Sequence, residues 1–136
     1  MAAGKEMVLY YQPELDKQKG NGTKAAKLKA VLVRMGIRIK NISQEQMGQS
    51  VGYLAGFDGF EEQDAVECSL VEEELLVMKN FSNSRLDELL MNLRRAGVEK
   101  IALKAVITDT NCKWKLYDLY QELIKEHEVM SKKEQQ

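Results

Sequence analysis

The sequence predicts an α/β domain in which two βαβα repeats form one four-stranded sheet flanked by helices. Three observations predict it. Short, nearly continuous apolar runs at Met7 to Tyr11, Leu75 to Met78 and Ile101 to Ile107 have the composition of strands covered on both faces. Amphipathic stripes with helical spacing follow the first two runs, and each stripe ends at a glycine. An acidic stretch from Asp58 to Glu74 separates two halves that share the same order of elements.

In the first half, Met7-Val8-Leu9-Tyr10-Tyr11 is β-branched and aromatic, and it stops at Gln12-Pro13. A polar loop runs through Gly20-Asn21-Gly22 to Thr23, an N-cap for a helix whose apolar face is Leu28, Val31, Leu32 and Met35. Gly36 ends that helix. Ile37 to Ile42 alternates as a half-buried strand, and Ser43 with Gln46 forms a capping-box pattern before a weaker helix from Gln44 to Leu54, interrupted by Gly48 and Gly52.

In the second half, Leu75 to Met78 leads into the turn and cap residues Asn80-Phe81-Ser82-Asn83-Ser84. Leu86, Leu89, Leu90 and Leu93 then make a helical stripe, with Gly97 placed as Gly36 is in the first half. Ile101 to Ile107 is the fourth strand. The fourth helix runs from Trp114 to about Met130, with Leu116, Leu119, Tyr120, Leu123 and Ile124 on one face, and Ser131 to Gln136 are expected to fray. Strand-helix-strand order favours parallel crossovers. The alternative is a ferredoxin-like α+β sandwich, an antiparallel sheet with helices on one face and the extra helices appended. Strand order is not fixed by these patterns.

The 136 residues, 44% apolar, suit one domain over 1–136, divided into a first half 7–57, an acidic connector 58–74 and a second half 75–130. The net charge of -1 hides a strong asymmetry. Lys and Arg outnumber Asp and Glu by nine to four before residue 58, the connector holds eight acids and no base, and the remainder has eleven bases against nine acids. The connector therefore reads as solvated. Met1 to Glu6 lacks the charged region and long apolar run of a secretory signal, and no apolar run has membrane-spanning length. Cys68 and Cys112 have neither disulfide-framework nor zinc spacing. The expectation is a cytoplasmic chain with reduced thiols, no membrane contact and no cofactor or metal.

Leu103-Lys104-Ala105-Val106, then Thr108, Asn111 and Trp114, then a helix with Leu119, Glu122, Leu123 and the tail Glu126-His127-Glu128 together resemble a small bacterial family catalogued as a domain of unknown function. The resemblance covers roughly the last sixty residues. Val33 to Arg38 and Gly48 to Leu54 resemble the region that precedes the domain in short members of that family. The resemblance implies anaerobe-type bacterial, cytoplasmic proteins and no assigned activity. One departure is Lys115, which stands where the family has a helix-capping Thr; a lysine side chain cannot cap an N-terminus.

Open α/β sheets bind ligands at the carboxyl ends of their strands, so Lys104, Thr108, Thr110, Asn111 and Trp114 form the candidate ligand site. Hydroxyls, an amide and free backbone N–H groups before a helix can receive an anion, and the same groups also make good turns and caps. Lys104 must snorkel, pair with a carboxylate or face a ligand. The Trp114 ring is expected to pack as a hinge between strand and helix. Cys112 beside Lys113 is the candidate for a thiol nucleophile, whereas the lone His127 suits the helix dipole better than catalysis. No catalytic set is identified. Lys24, Lys27 and Arg34 on the first helix, with Arg38 and Lys40 on the next strand, read as a modest basic patch over which the acidic connector folds back. Nucleic acid is not an expected partner, given a pI near 5.9 and no stacking aromatics on those elements. The end of the last helix, with Val129 and Met130, suggests a homodimer contact. The reading is a non-enzymatic binding or regulatory module for a small anion, a nucleotide-like ligand or a protein. The alternative is a thiol-dependent enzyme or redox protein using Cys112.

Overall fold

The computed structural model describes residues 6–13, 22–64 and 67–134. Four strands and four helices are present among them: β1 (Met7–Tyr11), α1 (Gly22–Arg34), β2 (Arg38–Ile42), α2 (Val51–Leu54), β3 (Leu75–Lys79), α3 (Asn83–Arg95), β4 (Leu103–Val106) and α4 (Leu116–Glu134). Single 3-10 turns at Gln44–Gly48 and Asn111–Lys113 precede α2 and α4. The loop before α1 and the side chains of Thr23, Val129 and Met130 lie outside the described residues. So the expected Thr23 cap and the dimer contact at Val129 and Met130 fall outside them too.

The sheet order is β2-β1-β3-β4. Each half contributes a parallel pair, β1 with β2 and β3 with β4, and the two pairs join through antiparallel β1 and β3 with Leu9 opposite Val77. Successive strand residues face opposite sides. Val8, Tyr10, Leu76 and Met78 meet Leu28, Leu32, Leu89 and Leu93 of α1 and α3 on one face. Leu9, Tyr11, Leu75 and Val77 meet Met47, Val51, Leu54, Leu116 and Leu119 on the other. Because both faces are covered and two of the three strand pairings are parallel, the architecture is the mixed α/β sheet with βαβα repeats and not the ferredoxin-like alternative.

The helix from Gln44 to Leu54 that the pattern predicts is divided. Gln46 accepts from the Ser43 N–H at 2.9 Å, as the capping-box pattern implies, but Gln49 is extended and α2 restarts at Ser50, whose hydroxyl accepts from Tyr53 N. The break frees the Gln49 backbone for another partner: Leu116 N donates to Gln49 O at 3.0 Å, and Val51 N donates to Trp114 O at 2.9 Å. α2 and α4 thus begin at one shared backbone bridge, Ser50 opposite Lys115. At its other end, α4 continues through Glu134, past the point where fraying is expected.

The connector is held rather than free. Val71 is fully buried in the α2/α4 cluster, the Gln44 side chain accepts from Val71 N, and the Gln49 amide both donates to and accepts from the Gln63 backbone. Cys68 packs on the same cluster and the Phe60 ring lies against Gly52, so several apolar side chains of an acidic run seat the segment on the α2/α4 face. Burial and the neighbouring Glu73 carboxylate push the Tyr120 hydroxyl of α4 upward from its ordinary pKa. Glu74 alone of the described connector acids crosses to α1, pairing with Lys24 at 2.7 Å and accepting from the Tyr10 hydroxyl.

α1 and α3 end alike. Gly36 and Gly97 have φ of +74° and +79°, Ile37 N reaches Leu32 O at 2.8 Å, and Val98 N reaches Leu93 O at 2.9 Å. These are Schellman closures, which need a left-handed residue after the helix. Gly36→Ala would meet no atom, so its cost is purely conformational. A loss of about 1 kcal/mol is expected, read as a lower urea midpoint at unchanged slope. No change would mean that the left-handed turn is not held.

Candidate functional site

The loop after β4 is built by its own polar groups. Thr108 N donates to Asn111 Oδ1 at 2.8 Å, Asn111 N donates to Thr108 Oγ1 at 3.0 Å, and Asn111 Nδ2 donates to Val106 O at 3.0 Å. The side chain that sequence places at the centre of an anion site is here the clasp of the loop. Thr108, Asp109 and Thr110 are exposed. Cys112 is buried, and its thiol donates to Asp109 O at 3.3 Å.

Trp114 differs from the expected packed hinge: its backbone is the hinge, holding Val51 N, while the residue stays 36% exposed. It borders a shallow depression with Asp118, Gln121 and Lys125 on the outer side of α4. The helix begins at Leu116, two residues later than expected, because Trp114 and Lys115 are extended in the bridge to Gln49 and Ser50. Lys115 O accepts from Asp118 N and Leu119 N, which makes Lys115 the N-cap residue. Its missing side-chain cap is offset by the Gln49 carbonyl on Leu116 N.

Lys104 does not join this loop. Four residues of extended chain, about 13 Å, separate it from Thr108, and its ammonium donates instead to Ile101 O. It opposes Leu76 in the sheet, on the α1/α3 side. His127 is exposed on α4.

A groove of about 750 Å³ lies elsewhere, between α1 and α3. The helices run antiparallel: Arg85 near the start of α3 donates to Met35 O beyond the end of α1 at 2.8 Å, while the end of α3 brings Gly97 close to the Lys27 ammonium. Ala30, Val31 and Ala96 line the groove between cations, and Asn92 adds an amide. The cations divide into two kinds. Arg85 is committed, gripping Glu6 through Nε at 2.8 Å and Nη2 at 2.7 Å, with Glu88 on Nη1 at 3.2 Å. The Glu6 bond raises its already high pKa further. Lys27, Arg34 and Arg95 have no carboxylate partner among the described residues.

The basic patch read from sequence is therefore split. Lys24, Lys27 and Arg34 belong to the groove side, but Arg38 and Lys40 lie opposite Met7 and Leu9, on the α2/α4 face, where Lys40 donates to Leu54 O at 3.0 Å. A strand leaves no choice here, since every second residue faces the same way. Sequence reasoning missed Arg95, which occupies in α3 the terminal place that Arg34 occupies in α1. The signal was the repeat itself, read for its core residues and not for its charges. No helix among the described residues is long and apolar enough to cross a membrane, and no group of three or more His, Cys, Asp or Glu among them is placed to hold a metal.

A family model described as a domain of unknown function (DUF3783) matches residues 74–130, which is the stretch from the end of the connector through β3, α3 and β4 into α4. The half that supplies β1, α1 and β2 lies outside the match. No curated protein and no solved structure matches the chain.

The Lys115 position yields a stability test. Lys115→Thr supplies the side-chain cap that Ser50 provides at the equivalent helix start and removes a positive charge from the helix N-terminus. The variant should gain about 0.5–1 kcal/mol in chemical denaturation. A loss would show that the Lys115 side chain, and not the Gln49 carbonyl alone, supports this end.

Proposed function

We propose that this domain is a binding module that takes a small anion of nucleotide size in the groove between α1 and α3. The observation that carries the reading is the presence of three uncommitted cations, Lys27, Arg34 and Arg95, around one groove of about 750 Å³. That volume falls within the range of small-molecule sites. Guanidinium forks match phosphate and carboxylate oxygens bidentately, and the ammonium adds a point charge. α1 contributes Lys24, Lys27, Lys29 and Arg34 without one acidic residue. The connector is seated by Val71 on the far face, and its Glu74 pairs with Lys24, while Lys27, Arg34 and Arg95 pair with none of its described carboxylates.

The strand-end loop remains the second place for such a ligand, through the exposed Thr108, Thr110 and Trp114. A thermal-shift and calorimetric series with nucleotides, inorganic polyphosphate and di- and tricarboxylates separates the two. Binding should weaken about 10- to 100-fold in Arg34→Ala and in Arg95→Ala, the cost of one charge-assisted contact. It should also weaken as salt rises. Because these side chains make no structural ion pair, each variant should keep parental stability to within about 0.5 kcal/mol. Binding that survives both changes but is lost on Thr108→Ala and Trp114→Ala would move the site to the loop. No response to any anion would overturn the reading.

A further inference from the structure

Beside the edge strand β4 lies a second, smaller pocket of about 240 Å³, separate in its residues from the α1/α3 groove. Leu90, Leu93, Val98 and Ile101 make its walls, and Arg94 and Lys100 bring positive charge to it. Lys104 lines it from the strand, half-buried, and its Nζ is held by the Ile101 carbonyl. A lysine so placed ordinarily finds a carboxylate, yet no ion pair involves Lys104 among the described residues. Glu99 shares the pocket without pairing with it, and Glu126 and His127 of α4 border a shallow depression on the outer side of the same lysine. An amine that is partly desolvated, fixed by one hydrogen bond and flanked by other cations has the setting of a lysine nucleophile.

We infer that Lys104 is a covalent capture site for a small 2-oxo acid, whose carbonyl condenses with Nζ inside this pocket while its carboxylate faces Arg94 and Lys100. The neutral amine donates one N–H to Ile101 O and keeps its lone pair for attack. That lone pair adds to the carbonyl carbon, and the carbonyl π electrons pass to oxygen, which takes up the proton that nitrogen loses. The carbinolamine nitrogen then gives up its second proton to that oxygen, the C–O bond breaks as the nitrogen lone pair forms the C=N bond, and water leaves an imine, with no oxidant or further reactant required. Burial, and secondarily the charge of Lys100, lower the Lys104 pKa, which enlarges the share of free amine at neutral pH. The aliphatic walls suit the short carbon chain of the acid, and the pocket volume fits only a small one.

The test uses the full chain, pyruvate and cyanoborohydride, with the modified lysines identified by peptide mass spectrometry. Lys104 should carry the reduced adduct ahead of every other lysine, and Lys104→Arg, checked for native circular dichroism, should leave only slow, scattered labelling. Arg94→Ala should slow capture of pyruvate and leave capture of uncharged propanal at Lys104 unchanged. Labelling spread evenly over the lysines would overturn the capture site. An Arg94→Ala variant that treats both probes alike would overturn its preference for an acid.

Discussion

Everything in this molecule is positioned by the antiparallel pairing of β1 with β3. Val8, Leu9, Tyr10 and Tyr11 face Met78, Val77, Leu76 and Leu75, and all eight side chains are buried, alternating between the two faces of the sheet. At about 2 kcal/mol per fully buried side chain, these eight contribute heavily to the two cores, one on each face of the sheet. The two backbone hydrogen bonds joining the starts of α2 and α4 add about 1 kcal/mol each.

An antiparallel seam between two like βαβ units places equivalent elements on the same side of the sheet. α1 and α3 therefore lie side by side and antiparallel, and α2 and α4 start together on the opposite face. The two halves differ in the length of their second helices, four residues in α2 and nineteen in α4, and in charge. α1 carries only cations and α3 ends in Arg94-Arg95, whereas the other face holds the acidic connector and the carboxylates of α4. The groove between α1 and α3 follows directly: two helices with small residues between them, and basic side chains that the fold does not use internally. Arg85 is the exception that sharpens the contrast, because its bidentate hold on Glu6 and its bond to Met35 O make it a brace between β1, α1 and α3.

The elements legible in the sequence were those whose information is local. Apolar runs marked β1 and β3, three- and four-residue spacing marked α1 and α3, and Gly36 and Gly97 marked both helix ends at their left-handed turns. Less was legible where a tertiary partner decides. Gln49 is extended because its carbonyl caps α4, more than sixty residues away in sequence, so the predicted helix from Gln44 to Leu54 divides just after Gly48, where the glycine weakens the helix but does not show what takes up the freed backbone. The connector looked solvated because its composition is acidic, yet Val71 anchors it. Thr108 and Asn111 carry the residue types of an anion site, and the same types close a turn; only the hydrogen-bond partners distinguish the two. Arg38 and Lys40 are near Arg34 in sequence but belong to the other face of the sheet. The groove required knowing that α1 and α3 are neighbours, and strand order alone establishes that.

If the seam makes the two halves one cooperative unit, the amides of β1 and β3 must open together. Native-state hydrogen exchange measures this residue by residue. The Val8 to Tyr11 and Leu76 to Met78 amides should share the highest opening free energy, equal to that of global unfolding, with the edge strands β2 and β4 below it. Fast exchange in β1 beside continued protection across residues 74–130, the stretch that the family model matches, would contradict it and make the second half an autonomous fold.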